Sequence, residues 1–290
     1  MKLGLALSGG GIKGAAHIGA LKALEEANIK INMISGTSSG SIIAALYAIG
    51  YKPNEILKVF KSYAKHINYF SFNNLLKLVS GIITKRKITI TGFNNGKKLE
   101  KIINKLSLDK GINLISDVKM PLIIPAVSLY DGKVYIFTNQ LNKRSYNDSY
   151  LYKGNVKLAK CVRASSSFPG IFEPTKVEND LLLDGGIREN TPWKELKKLG
   201  ASFVISIVFD TFTPKTNYTS FLEIVDKSLN IMMHELENYE LHKAQFILRI
   251  KTDKISLLDS SKIDELYQIG YSATKKEIEK IKLLTSASAF

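Results

Sequence analysis

The stretch Ile29-Lys30-Ile31-Asn32-Met33-Ile34-Ser35-Gly36-Thr37-Ser38-Ser39-Gly40-Ser41-Ile42-Ile43-Ala44-Ala45-Leu46-Tyr47 joins two hydrophobic patterns through five small residues. The apolar run 29–34 predicts a strand, and the apolar positions from Ile42 to Tyr47 predict a helix. Between them lies Gly-x-Ser-x-Gly, with no length to spare for a loop. That placement is what a nucleophile elbow requires: the tight turn lifts Ser38 above the sheet edge, while Gly36 and Gly40 let strand and helix approach without side-chain clash. The hydroxyl also falls at a helix N-terminus, where developing negative charge is favoured.

The same unit occurs immediately upstream. Lys2 to Leu7 reads as a strand, Gly9-Gly10-Gly11-Ile12-Lys13-Gly14 as a turn, and Ile18, Leu21 and Leu24 as one face of a helix ending near Asn28. Two successive strand-to-helix units indicate a mainly parallel sheet covered by helices, the α/β class. The glycine turn also satisfies GxGxxG, but a dinucleotide site needs an acidic residue at the end of the second strand to hold the ribose. That strand runs Met33-Ile34-Ser35 straight into the elbow. The other reading aims the amides of Gly10 and Gly11 at an oxyanion in the crevice that Ser38 faces, with Lys13 adding positive charge for an acyl oxyanion or a lipid phosphate.

A serine nucleophile needs a base. His17 lies inside the first helix, His66 in an aromatic region, and His234 and His242 in an amphipathic helix, so none stands at a strand end. Asp184 does, in Leu181-Leu182-Leu183-Asp184-Gly185-Gly186. A carboxylate there takes the Ser38 proton directly if a low-dielectric site raises its basicity, which gives a Ser-Asp dyad.

The remaining pattern reads as a helical, aromatic region over 53–106, with a short strand at 88–91. A hairpin follows, made of 121–129 and 133–138 and turning at Tyr130-Asp131-Gly132. Helices are predicted over 156–164, 192–199 and 221–242, strands over 203–209 and 245–250, and a terminal helix after that. Neither a linker nor a repeat interrupts the series, so one domain over 1–290 with a helical insertion is expected.

Composition narrows the partners. The 41 Lys and Arg outnumber the 26 Asp and Glu for a net charge of +15, which favours nucleic acid or an anionic membrane surface, and no nucleic-acid-binding module surrounds the lysine clusters. Cys161 stands alone and the histidines show no ligand spacing, so no disulfide framework and no metal site is expected. The apolar run Leu3 to Leu7 is too short for a signal-peptide core, and no stretch approaches the ~20 residues of a spanning helix. A cytoplasmic protein touching the inner membrane surface peripherally is the expectation.

GGGIKG, GTSSG and DGG, in that order, together with Arg163-Ala164-Ser165-Ser166-Ser167-Phe168-Pro169-Gly170 and with Asn190 and Pro192, give the chain a resemblance to bacterial patatin-like phospholipases from Met1 to about Asp210. The resemblance implies a three-layer α/β/α fold, Ser38 as nucleophile, Asp184 as the base of a dyad and Gly9, Gly10 and Gly11 as the oxyanion turn. Gly14, Gly36, Gly40, Gly185 and Gly186 are then motif glycines, and no metal or cofactor is needed. Lys13 stands where the family commonly has arginine, and 53–106 follows no family pattern. The implied activity is hydrolysis of fatty acyl esters of phospholipids or lysophospholipids through an acyl-enzyme. Acyl transfer by the same dyad and a silent lipid-binding module are the alternatives. The aromatic stretch 63–79 reads as a helical layer over the sheet or as a lid.

Overall fold

Alternation along two adjacent strands sets the layers. In β1 (Leu3–Leu7) the leucines Leu3, Leu5 and Leu7 enter one core while Ala6 enters another, and in β8 (Phe203–Asp210) Phe203, Ile205, Ile207 and Phe209 part from Val204 and Val208 in the same way. Successive strand residues face opposite sides of a sheet, so each strand feeds two cores. The computed structural model describes residues 1–65, 92–141, 148–210, 221–252, 255–257 and 259–287.

The larger core packs α1 (Gly14–Glu26), α2 (Ser39–Ala48), α3 (Pro53–Lys65), α4 (Lys97–Leu108), α5 (Leu158–Ser165) and α8 (Ile263–Ala287) on one face. The smaller one holds Trp193 and Leu196 of α6 (Trp193–Lys198) and Leu241, the last residue of α7 (Phe221–Leu241), on the other. Each fully buried Leu, Ile or Phe contributes roughly 1.5–3 kcal/mol. The α/β expectation holds: helices cover both faces of a mostly parallel sheet.

Strand order is β5 (Tyr150–Lys153), β4 (Val134–Thr138), β3 (Leu122–Ser128), β2 (Met33–Gly36), β1, β8 and β9 (Phe246–Lys251). β3, β2, β1, β8 and β9 run parallel, and β4 returns antiparallel from the expected hairpin. One edge of β3 serves two partners. Its first residues pair with β2, in register Ser35↔Ile123, and its last pair antiparallel with β7 (Asp180–Asp184), in register Ala126↔Asp184. β2 and β7 therefore run toward one another along the same edge, their paired ends three β3 residues or about 10 Å apart. Pro125, which has no N–H for a ladder, stands in that gap.

Two short strands were not expected: β5, half-buried at the sheet edge, and β6 (Thr175–Val177), which pairs with β7. The expected strand 29–34 is shorter, because Asn32 caps the start of β1 by accepting the Leu3 N–H at 2.9 Å, and pairing begins only at Met33. The aromatic stretch beyond Lys65 and the expected strand 88–91 lie outside the described residues.

α1 and α8 meet backbone to backbone. A Cβ on Gly19 would overlap the Tyr267 carbonyl, and one on Gly270 would overlap the Ala16 carbonyl.

Candidate active site

The elbow forms as its glycines require. Ser38 has φ +53° and ψ −122°, a left-handed backbone for a residue with a Cβ, which costs about 1–3 kcal/mol and persists only where surrounding structure imposes it. The constraint is visible on every side. A Cβ on Gly36 would overlap the Gly40 carbonyl, and one on Gly40 would stand 2.6 Å from both the Leu7 and Ser8 carbonyls. Gly14 is just as tight, its Cβ position lying 2.9 Å from Ser39 Cβ, so α1 and α2 start against each other.

The serines that follow α5 hold both members of the expected dyad. Ser38 N–H donates to Ser165 Oγ at 3.1 Å, Ser166 Oγ donates to the Ser38 carbonyl at 3.3 Å, and Asp184 N–H donates to the Ser167 carbonyl at 3.0 Å. Arg163 is buried beneath them. Its guanidinium donates to Ser167 Oγ at 2.7 Å and to the Asn95 and Glu173 carbonyls, tying the 92–96 segment to this turn.

Asp184 is 1% exposed and ends β7, the strand aimed at Ser38. Its Oδ1 accepts the Gly186 N–H at 2.8 Å, while among the described residues Oδ2 has no hydrogen-bond partner. Burial pushes this carboxyl up to about 7, with the Gly186 N–H, the neighbouring Ser38 hydroxyl and the Arg163 charge pulling the other way. A carboxyl titrating there is a far better proton acceptor near neutrality than an ordinary aspartate, and its unpartnered Oδ2 leaves a place for the proton. The Gly185 Cβ position lies 2.5 Å from the Pro125 carbonyl and that of Gly186 3.1 Å from Asp184 Oδ1, so both glycines are set by close approach.

The glycine turn needs a correction. Gly9 N–H is spent: it donates to Asn190 Oδ1 at 3.1 Å, and Asn190 Nδ2 in turn donates to Glu237 Oε1 at 2.8 Å. Gly9 is therefore a spacer beside Ser38, with its Cβ position 3.2 Å from Ser38 Cβ, and not an oxyanion donor. Among the described residues the amides of Gly10 and Gly11 make no hydrogen bond inside the protein, which leaves them for an incoming oxygen. Gly10 lies against the Phe209 ring, and Gly11 has φ +56° with the Leu257 carbonyl 2.6 Å from its Cβ position. Lys13 is buried within the turn, 3% exposed.

His17 supports the turn from behind. Its Nε2 lies 2.9 Å from the Ser8 carbonyl, its ring packs on Phe209 at 4.4 Å, and burial pushes its pKa down to about 4. A neutral imidazole donating to a backbone carbonyl is a structural group. His242 is exposed and His234 half-buried on α7, and His66 lies outside the described residues.

Sequence reasoning missed the contribution of α7. Glu237 accepts from Asn190 Nδ2 and, at 2.6 Å, from Thr191 Oγ1, and Met233 Cε lies 2.8 Å from the Gly186 Cβ position. Acidic residues at the spacing of the inward-facing Met233, Glu237 and Leu241 were the available signal, since an acid on a buried stripe needs partners.

A patatin-like phospholipase family profile matches residues 5–197. The lysophospholipase NTE1 of Meyerozyma guilliermondii is 25% identical over 295 residues, covering 93% of this chain and 19% of that protein. The NTE1 lysophospholipase of Lodderomyces elongisporus is 24% identical over 317 residues, covering 99% and 20%. The chain thus spans about a fifth of the length of the curated relatives it matches. Among solved structures, VipD from Legionella pneumophila superposes with a TM-score of 0.55 at 15% identity, covering 96% of this chain and 67% of that one, a likeness of fold. Since these sequence relatives are fungal, the resemblance is not confined to a bacterial branch. The profile match takes in all three glycine-bearing blocks and spans two-thirds of the sequence, and the chain belongs to the patatin-like phospholipase family.

Proposed function

We propose that the protein hydrolyses the fatty acyl ester of a phospholipid or lysophospholipid with Ser38 as nucleophile and Asp184 as general base, in one domain formed by residues 1–290. The observation that carries this reading is the convergence of β2 and β7 on one edge of β3, which sets a strained serine against a buried carboxyl of raised pKa beside two uncommitted amides.

In the first step Ser38 Oγ attacks the ester carbonyl and its proton passes to Asp184 Oδ2. The carbonyl oxygen gains the negative charge and is received by the Gly10 and Gly11 amides, each such donor being worth about 10²–10³ in rate. Collapse expels the alcohol, which takes the proton from Asp184 and leaves the acyl group on Ser38. A water then gives its proton to Asp184 and attacks the acyl-enzyme. The fatty acid leaves, and the proton returns to Ser38 Oγ. Lys13, buried in the turn, adds a fixed positive charge near the amides.

A membrane surface would bring the substrate. The Met233 side chain of α7 reaches Gly186, and residues 221–232 form about 18 Å of helix ahead of it. Ile224, Ile231 and Met232 are exposed on that part of the helix, and Leu129 and Tyr130 are exposed at the β3–β4 turn. No helix among the described residues is long and apolar enough to cross a membrane. With a net charge of +15, peripheral contact with anionic lipid is the expected mode.

Two measurements test this. Fluorophosphonate labelling followed by intact mass and peptide mapping should place one adduct on Ser38, and lysophosphatidylcholine should yield free fatty acid. Transfer of the acyl group to added glycerol in preference to water would instead identify an acyltransferase. Vesicles containing phosphatidylglycerol should co-sediment the wild type, and Met232→Asp combined with Tyr130→Asp should weaken that binding at least about tenfold, given the apolar area removed. Unchanged binding would place the membrane contact elsewhere.

A further inference from the structure

Glu189 is 1% exposed, lies five residues past Asp184, and takes no part in the chemistry above. Three bonds join it to the site. Its N–H donates to the Gly185 carbonyl at 2.8 Å, its carbonyl accepts Thr37 Oγ1 at 2.8 Å, and its Oε2 accepts the Tyr150 hydroxyl at 3.0 Å. The first two reach the immediate neighbours of Asp184 and Ser38, and the third anchors the side chain to the edge strand β5. Oε1 has no hydrogen-bond partner among the described residues.

The surroundings of this carboxyl are acidic from two helices. Glu195 on α6 accepts the Tyr152 hydroxyl and pairs with Lys198 at 2.6 Å, and Glu240 on α7 pairs with Lys194 at 3.6 Å. Glu237 on α7 is committed to Asn190 and Thr191. Tyr150 and Tyr152 of β5, with phenols held well above their ordinary range, complete the set. The two nearby lysines thus already face other acids, and neither makes a direct ion pair with Glu189.

We propose that Glu189 is a positioning residue: as the neutral acid it locks segment 185–191 between Thr37 and β5 and so holds Asp184 to Ser38, and its ionisation releases that lock. Burial and the acidic neighbours decide which form is seated here. The carboxyl is buried without a cation, and burial together with repulsion from Glu240 and Glu195 holds its ionisation far above the ordinary glutamate range, with the Tyr150 hydroxyl and Lys194 acting weakly against this. A charge created there sits beside two carboxylates in low dielectric, and the cheapest relief is movement of the segment toward water.

The inference rests on the proposed Ser38–Asp184 chemistry for its kinetic consequence, so the test has two readouts. Fluorophosphonate labelling of the wild type should rise through the titration of Asp184 and then fall, approaching about tenfold per pH unit, on the alkaline side. Glu189→Gln keeps the rise and loses the fall. Tyr150→Phe removes the anchor to β5 and should lower the amide protection of 185–191 at every pH, whereas Glu189→Gln keeps an acceptor for that hydroxyl. Hydrogen exchange of the 185–191 amides, corrected for intrinsic rate, reads the lock without any chemistry: protection should drop with pH in the wild type and stay level in Glu189→Gln. The same alkaline limb in wild type and Glu189→Gln, or the same exchange profile, overturns the proposal. A wild type that is never labelled yet shows the exchange difference would refute the hydrolase reading and leave the lock standing.

Discussion

Ser38→Ala is expected to lower acyl-ester hydrolysis by about a thousandfold or more with the fold intact, because among the described residues no hydroxyl other than that of Ser38 acts on the Asp184 carboxyl, so none replaces the covalent route. Asp184→Asn should do the same by a different path, keeping the hydroxyl and removing its proton acceptor. Either variant acting within tenfold of the wild type on lysophosphatidylcholine would end the dyad reading. The wild type supplies the companion test, since kcat/KM should climb through a single ionisation near pH 7 and flatten above it, before any alkaline decline from Glu189.

Stability should move the other way in Asp184→Asn. A carboxyl whose folded pKa is raised from 3.8 to about 7 contributes stability that is complete below about pH 4 and is lost as pH rises through about 7. At pH 8 the ionised Asp184 is therefore a net cost, of order 4 kcal/mol, and the asparagine variant should melt several degrees above the wild type. At pH 4 the two should coincide. Under the dyad reading, the protein would then be less stable at pH 8 than its own inactive variant.

The second large effect falls far from the crevice. Gly270→Ala places a methyl group into the Ala16 carbonyl, and Gly19→Ala places one into that of Tyr267. Neither obstacle is the flexible end of a side chain, so α1 and α8 have to separate. Each substitution should cost about 3 kcal/mol or more, read as a fall in the urea midpoint without a change in slope. Because both act on one contact, the double variant should cost less than the sum. Two single variants within about 1 kcal/mol of the wild type would show that the helices do not meet as described.

What the sequence made legible was local. β1 with its glycine turn, β2 with its elbow, and β7 with Asp184-Gly185-Gly186 are each written in a few consecutive residues, because close backbone approach demands glycine at fixed positions. The geometry that turns these pieces into a site is not local. Nothing in Leu181-Leu182-Leu183 says that this strand runs antiparallel along the edge of β3 that β2 leaves free, and that choice alone aims Asp184 at Ser38. The loss of Gly9 as a donor follows from Asn190 and, behind it, Glu237 in a helix whose sequence looks merely amphipathic. β5 and β6, at four and three residues, are too short for an alternation to declare itself.

The glycine contact between α1 and α8 also bears on the order in which the crevice is assembled. β1, which feeds the glycine turn, lies between β2 and β8, and the turn itself leans on Leu257, whose carbonyl accepts the Ile12 N–H at 3.0 Å. When the chain folds, α1 has no cover at Ala16 and Gly19 until Tyr267 and Gly270 of α8 reach it. Pairings this distant in sequence form late. The crevice beside Ser38 is therefore expected to be complete only once α8 has docked on α1.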